Sequence, residues 1–398
     1  MKFILSVSFI LLCHLPFAQQ VVEEDLQHNG STRFYDVFLP TGYNTNNNLP
    51  LVIMLHGGGG DKNVIQAFSQ LNPVANVLGY IAVYPQGLEP LSIGGFSWAD
   101  GRGTAADNAG VDDVGFILSL LNQLKSDYAI DDQRIYIAGF SNGGFMAQTL
   151  ACEIPEEFAA AAALGCSLGV QQAADCTTAE ATPMIYVVGT ADPEIPYNGG
   201  AMTNPGVEPI IGVEAAVQFW VDKNGCDDMP QVSSLPDTVT DDNSTVELLT
   251  YDNCDCYSNV QFYKIINGGH TWPGNEIPSI EPQLGDTNED INAGFRMLDF
   301  FNDHVLCQSL SVLRWNDDNE WIMYPNPTQD KVNIIATFPV ARVEIFSITG
   351  KRIRFEPIDQ RKNFSMKCSA LTDGIYWIRV ENDRGHQQIK RLVVGKGN

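Results

Sequence analysis

Positive charge is what this 398-residue chain has least of: 23 Lys plus Arg stand against 48 Asp plus Glu, a formal net charge of −25. A surface of that sign repels polyanions, so nucleic acid and polyanionic substrates are excluded as partners. Long apolar runs are also scarce. Beyond the first twelve residues no stretch is long and apolar enough to cross a bilayer, so no membrane span is expected. Histidine occurs six times, and no set of Cys and His stands at zinc spacing. The acid-rich stretch from Asp237 to Asp252 lacks the Asp-x-Asp-x-Asp-Gly pattern of a calcium loop. No metal is therefore expected.

The scarce positive charge is also unevenly placed. From Tyr324 onward 13 Lys plus Arg face 7 Asp plus Glu, while the part before holds 10 against 41. Two segments of opposite sign read as two domains. The opening, Met1-Lys2 followed by Phe3 to Leu12 and then Pro16-Phe-Ala18, reads as a secretory signal peptide over 1–18. Residues 19–308 then form one large domain, the polar and acidic 309–323 a linker, and 324–398 a second domain. Leaving aside Cys13, the first domain holds seven cysteines and the second holds Cys368. Seven is odd, so at least one has no partner within that domain. Disulfides fit an exported chain, with Cys254 or Cys256 pairing to a partner such as Cys226.

Chemistry enters at Gly139-Phe-Ser-Asn-Gly143, which follows the apolar run Arg134 to Ala138 and precedes the helix-forming Gly143 to Ala151. A strand, a serine flanked by glycine two residues away on each side, and a helix make a nucleophile elbow: the sharp turn leaves no room for side chains at the glycine positions. Upstream, the apolar run Leu49 to Leu55 ends in His56-Gly-Gly-Gly-Gly60, a loop of exposed backbone N–H groups. Gly58 of that loop and Asn142, next after the serine, are the expected oxyanion donors. Downstream, Pro183 to Val188 ends in Gly189-Thr-Ala-Asp192, and Val260 to Ile266 runs into Asn267-Gly-Gly-His270. The expected triad is Ser141, Asp192 and His270, in the chain order of the fold built around such an elbow.

Each assignment has a plainer competitor. Ser141 suits a helix N-cap, although that role leaves the two glycines unexplained. Asp192 suits a loop cap ahead of Pro193. His56 rivals His270 as base, but beside the glycine loop an imidazole more often packs and holds the loop. Trp98, Phe140 and Trp272 are expected to line the cleft, where flat rings stack on sugar or aryl groups; packing in the core is the alternative for all three.

Six motifs now stand in order: His56 to Gly60, Tyr84-Pro-Gln-Gly87, Val111-Asp-Asp-Val-Gly-Phe-Ile117, Gly139 to Met146, Gly189-Thr-Ala-Asp-Pro193 with Pro196-Tyr197, and Gly268-Gly-His-Thr-Trp-Pro-Gly274. Over about residues 30 to 305 the chain resembles the secreted feruloyl esterase and polyhydroxybutyrate depolymerase family of α/β-hydrolases. The resemblance implies a mostly parallel, doubly wound sheet, ester substrates, no cofactor, and a Ser-Asp-His triad falling on Ser141, Asp192 and His270. One departure is visible, since Val188 stands before Gly189 where relatives often carry His.

The tail alternates apolar and polar residues over Lys331 to Ile335, Arg342 to Phe346, Gly374 to Val380 and Ile389 to Val394, with Gly350, Gly374 and Gly385 at turns. This pattern predicts a small β-sandwich. Its Tyr324-Pro-Asn-Pro-Thr328 opening, Ser347 to Lys351, Leu371 to Tyr376 and the run from Lys390 to Lys396 resemble the type A sorting domain of the Bacteroidetes type IX secretion system. That resemblance implies passage through the periplasm to the surface or medium, with the export apparatus as partner. A carbohydrate-binding or spacer module is the alternative. For the first domain the expectation is an ester hydrolase removing feruloyl or acetyl groups from plant polysaccharide, with polyester depolymerisation as the second reading and a non-catalytic polysaccharide-binding protein as a third of another class.

Overall fold

The computed structural model describes residues 20–88, 95–202, 206–275, 281–307, 321–348, 351–382 and 387–395. The expected signal peptide, most of the expected linker and the turns at Gly350 and Gly385 lie outside them.

Ten strands form one sheet: β1 (Gln20–His28), β2 (Ser31–Leu39), β3 (Leu49–Leu55), β4 (Ile81–Pro85), β5 (Ile130–Phe140), β6 (Ala160–Leu164), β7 (Met184–Gly189), β8 (Gln231–Ser234), β9 (Thr245–Tyr251) and β10 (Val260–Ile266). Their order is β1-β2-β4-β3-β5-β6-β7-β10-β9-β8. From β4 to β10 neighbours run parallel. Antiparallel strands close each edge, β1 and β2 at one side and β9 and β8 at the other.

The central strands read as unbroken apolar runs because both of their faces are covered. Successive residues alternate between two cores. Leu51, Ile53, Ile135, Ile137, Tyr186 and Val188 pack on one face with the helix Asp113–Asp127, through Phe116, Leu120 and Leu124, and with the helix Val213–Lys223, through Val217 and Trp220. Val52, Met54, Tyr136, Ala138 and Ile185 pack on the other with the helices Leu71–Leu78 and Ala293–Asn302. A doubly wound sheet presents the C-terminal ends of its parallel strands together, and Phe140, Gly189 and Ile266 end three of them.

Three disulfides join Cys152 to Cys176, Cys226 to Cys254 and Cys256 to Cys307. Cys254 does pair with Cys226, and the odd cysteine of the large domain is Cys166, buried and free.

The tail forms β11 (Trp321–Tyr324), β12 (Lys331–Ser347), β13 (Arg352–Lys367), β14 (Gly374–Asn382) and β15 (Gln387–Val394), all antiparallel. The five strands are hydrogen-bonded as one sheet rather than as two separate ones. β12 makes this possible: it pairs first with β11, shifts register between Ile335 and Arg342, and then pairs with β14, while β13 follows it along the other edge. Trp321, Ile334, Ile345, Ile378 and Leu392 meet in the core the sheet encloses. The tail is joined to the first domain by a seam, where the Trp377 and Phe295 rings lie 4.4 Å apart and Phe346 and Trp377 enter the core that contains the helix Ala293–Asn302.

Candidate active site

Ser141 sits between the end of β5 and the helix Asn142–Glu153 with φ 54° and ψ −123°. A non-glycine residue at such an angle costs about 1–3 kcal/mol and persists only where its surroundings impose it. The surroundings here are backbone. A Cβ on Gly139 would lie 2.0 Å from Gly143 O, and one on Gly143 would lie 2.5 Å from both His56 O and Leu55 O. The Ser141 N–H is held by Leu164 O at 2.9 Å. Its hydroxyl makes no capping hydrogen bond to the helix, which disposes of the N-cap reading.

Asp192 follows the end of β7, and its carboxylate is used on both oxygens. Oδ1 accepts from the N–H groups of Glu194 and Ile195, each at 2.8 Å, and Oδ2 lies 2.7 Å from His270 Nδ1. The loop-cap role and the partnership with His270 thus coexist. An Asp on Nδ1 makes that nitrogen the N–H donor and leaves Nε2 as the acceptor. Both side chains are nearly sealed, Asp192 at 0% and His270 at 7% exposure. The His270 ring lies 4.7 Å from that of Phe140, the residue immediately before Ser141.

The glycine loop crosses the nucleophile turn. A Cβ on Gly57 would lie 3.3 Å from Ser141 Cβ, and one on Gly58 would lie 3.6 Å from Asn142 Cβ. Gly59 donates its N–H to Phe96 O and Gly60 donates to Gly57 O, which leaves Gly57 and Gly58 as the loop's candidate oxyanion donors. His56 holds this loop. Its Nε2 accepts from Gly87 N–H at 3.0 Å, so the proton is on Nδ1, which donates to Gly57 O at 2.8 Å. Burial lowers its pKa to about 4, and the neutral ring has neither nitrogen left for a substrate.

The three aromatic residues expected at the cleft are placed deeper. Trp98 is fully buried, lies tilted against His56 with ring centroids 4.9 Å apart and donates its indole N–H to His56 O, so it backs the glycine loop. Trp272 is also fully buried and packs edge-on to Phe68. Phe140, 7% exposed, lies between Phe68, Trp272 and His270. Sequence reading passed over two buried ion pairs nearby, Arg33 with Asp113 and Arg102 with Asp100, each at 2.6 Å. Arg33 lies in β2 and Asp113 opens a helix, while Asp100 and Arg102 lie in a loop. A charged residue carries no sign of burial in its identity in any of these settings, and the pairing of distant residues has no local signal. Among the described residues no cluster of three or more His, Cys, Asp or Glu could hold a metal ion, and no helix is long and apolar enough to cross a membrane.

Comparison with known proteins places these features in families. Residues 33–193 match the model described as esterase PHB depolymerase, and residues 322–395 that of the secretion system C-terminal sorting domain. The chain is 29% identical over 238 residues to feruloyl esterase B of Piromyces equi, covering 59% of this chain and 42% of that one. It is 26% identical over 265 residues to the bifunctional acetylxylan esterase/xylanase XynS20E of Neocallimastix patriciarum, covering 66% and 34%. The chain thus spans less than half the length of either relative. Among solved structures, an acetyl xylan esterase from Aspergillus awamori aligns over 66% of this chain and 97% of its own, at 16% identity and a TM-score of 0.45. Residues 33–193 thus resemble the PHB depolymerase esterases, and residues 322–395 resemble the sorting domains of a secretion system.

Proposed function

We propose that Ser141, His270 and Asp192 hydrolyse carboxylic esters through an acyl-enzyme. Ser141 Oγ attacks the acyl carbonyl carbon while His270 Nε2 takes the hydroxyl proton, and Asp192 holds the imidazolium through Nδ1–H. Negative charge that develops on the carbonyl oxygen is met by the N–H of Asn142 and an N–H of the loop, Gly58 or Gly57. Collapse expels the alcohol, which receives the proton from His270. Water then repeats the sequence on the acyl-enzyme and releases the acid.

The observation that carries this reading is the turn at Ser141, held at positive φ by glycines that admit no Cβ. An ordinary serine has no reason to be there. Feruloyl and acetyl esters of plant polysaccharide are the substrate class we favour, a choice supported by relatives named feruloyl esterase and acetylxylan esterase. Polyester hydrolysis is the second reading, supported by the family's own description. Turnover of feruloyl, acetyl and hydroxybutyrate esters, measured side by side with Ser141→Ala as control, tests both levels. Activity that survives in pure Ser141→Ala would overturn the mechanism, and preference for oligomeric hydroxybutyrate would reverse the choice of substrate.

A further inference from the structure

Asn142 contributes more to this site than a backbone N–H. Its side-chain amide is held at every position by one loop segment: Oδ1 accepts from Trp98 N–H at 2.8 Å, while Nδ2 donates to Trp98 O at 3.2 Å and to Asp100 Oδ2 at 2.7 Å. The same Asp100 oxygen receives Arg102 Nη2 at 2.6 Å and Nε at 3.1 Å. Arg102 in turn lies flat on Phe145, one turn further along the helix, with 3.3 Å from its central carbon to the ring centroid. Thr149, a turn beyond, donates its hydroxyl to Asp100 O at 2.7 Å. Trp98 donates its indole N–H to His56 O at 2.9 Å, at the root of the glycine loop. One segment, Trp98 to Arg102, therefore grips both sides of the pocket in which the oxyanion would sit.

A buried ion pair is a poor device for stability alone. Asp100 is fully buried and Arg102 is 3% exposed, so both charges are stripped of water. Arg102 Nη1 is buried with no hydrogen-bond partner among the described residues. Apolar side chains of similar volume would fill this space at equal or lower cost. What they would not do is fix the rotation of the Asn142 amide, and with it the backbone of the residue that follows the nucleophile.

We infer that Asp100 and Arg102 are positioning residues for the oxyanion pocket, acting through the Asn142 side chain to aim its N–H at the tetrahedral oxygen. This rests on the assignment of Ser141 as nucleophile. Neither residue touches the substrate. Their effect is confined to the tetrahedral state, because only there does the oxygen carry the charge that the N–H must meet.

The test uses the full chain with p-nitrophenyl acetate as substrate and an alkyl boronic acid as tetrahedral analogue. In Asp100→Asn, kcat should fall about 10- to 100-fold, the range for misplacing an oxyanion donor, while KM moves less than about threefold. Affinity for the boronic acid should fall by the same factor as kcat/KM. Asn142→Ala keeps its backbone N–H but loses the grip, so it should show the same pattern. The double variant should be no worse than the more damaging single one, because both break one chain of contacts. A folded Asp100→Asn with wild-type kcat would overturn the inference, and so would lost kcat with unchanged boronic acid affinity. Should Asp100→Asn fail to fold, Asn142→Ala and Arg102→Met decide by the same two measurements. Fluorophosphonate labelling separates the two levels. Wild-type protein that is active but unlabelled at Ser141 sinks the nucleophile assignment, whereas labelled protein with indifferent variants sinks only the positioning role.

Discussion

Two constellations of serine, histidine and aspartate stand out among the described residues. In one, Asp192 Oδ2 holds His270 Nδ1 at 2.7 Å, and the His270 ring lies against Phe140, next to Ser141. In the other, Ser119 Oγ lies 3.3 Å from His28 Nδ1, and His28 Nε2 lies 3.1 Å from Asp112 Oδ2. The residue types are identical, and in the second the contacts run unbroken from hydroxyl to carboxylate. The difference is in what surrounds them. Ser119 lies within the helix Asp113–Asp127 and donates its hydroxyl to Gly115 O one turn back, at 2.8 Å. Asp112 is 48% exposed, caps that helix at Gly115 N–H and is held below the usual carboxylate range chiefly by that bond. Asp192 is sealed, and Ser141 is forced out of its helix by backbone crowding. Three side chains in line are therefore not enough: a nucleophile needs a hydroxyl that its own backbone has not claimed, a carboxylate shielded from water and donors already aimed at the charge to come.

Removing the serines should separate the two groups most sharply. Ser141→Ala should lower kcat by at least about 10³-fold, leaving only what binding and the oxyanion donors supply. Ser119→Ala should leave kcat/KM within about twofold. His270→Ala and His28→Ala should divide in the same way. Equal losses at the two serines, measured on one soluble ester, would erase the distinction.

The acids should separate them next. Asp192→Asn keeps the shape but offers an amide to His270 Nδ1 and favours the wrong tautomer, so a loss of about 10²- to 10⁴-fold in kcat is expected. Asp112→Ala should leave turnover alone and cost about 1 kcal/mol of stability, the ordinary worth of an N-cap. Urea melts and initial rates on the same two preparations read both numbers.

How much of this was legible in the sequence depends on whether a feature is carried by local backbone chemistry. The elbow was legible because its two glycines bracket the serine at fixed spacing, although only Gly139 is demanded by contact within five residues while Gly143 meets Leu55 and His56 at the end of β3. The strand ends at Asp192 and His270 were legible because buried parallel strands read as plain apolar runs. The mostly parallel sheet followed from the same runs. Placing Trp98 and Trp272 at the cleft wall failed to anticipate their burial, since a tryptophan near a catalytic motif looks the same whether it lines the cleft or backs it. The clamp of Asp100 and Arg102 on Asn142 joins residues 42 positions apart through buried charges, and no local pattern announces such a pairing. The tail's alternation marked its strands, but that they form one bent sheet depends on bulges in β12 that only pairing reveals.

Histidines sharpen the comparison through pH. Burial lowers His56 and His304 to about 4 each, from 6.5. The folded state thus keeps them neutral while the unfolded chain takes up protons below pH 6.5, so stability present above that value is lost as pH falls toward 4. Each contributes a loss of about 3 kcal/mol over that window, at about 1.4 kcal/mol per unit. Asp299 opposes them: burial raises it from 3.8 to about 6, so acid relieves a penalty of similar size. Asp100, Asp113 and Asp303, also raised by burial, oppose the histidines in the same direction as Asp299. His304→Gln should remove about half of the histidine share without touching turnover at neutral pH. An unfolding midpoint that rises on acidification would show that the buried carboxylates dominate.

The smallest effect on activity should come from the largest change to the chain. The sequence reads the tail as a second domain of opposite charge, and the seam at Trp377 and Phe295 joins that domain to the first. Truncation after Gln308 leaves Ser141, Asp192, His270 and the glycine loop in place, so turnover of small esters should stay within about twofold. It also uncovers the apolar face of the helix Ala293–Asn302, where Phe295 is now 4% exposed. Re-exposing one or two aromatic side chains costs about 1–3 kcal/mol and creates an adhesive patch. The truncated protein should therefore melt several degrees lower and bind more of a hydrophobic dye, while its kcat is unchanged. On the reading of residues 322–395 as a sorting domain, the truncated protein should remain in the periplasm of the native host. A truncated protein with the same melting temperature and dye binding as the full chain would mean that the seam contributes nothing in solution, and the two domains would then be independent in stability as well as in chemistry.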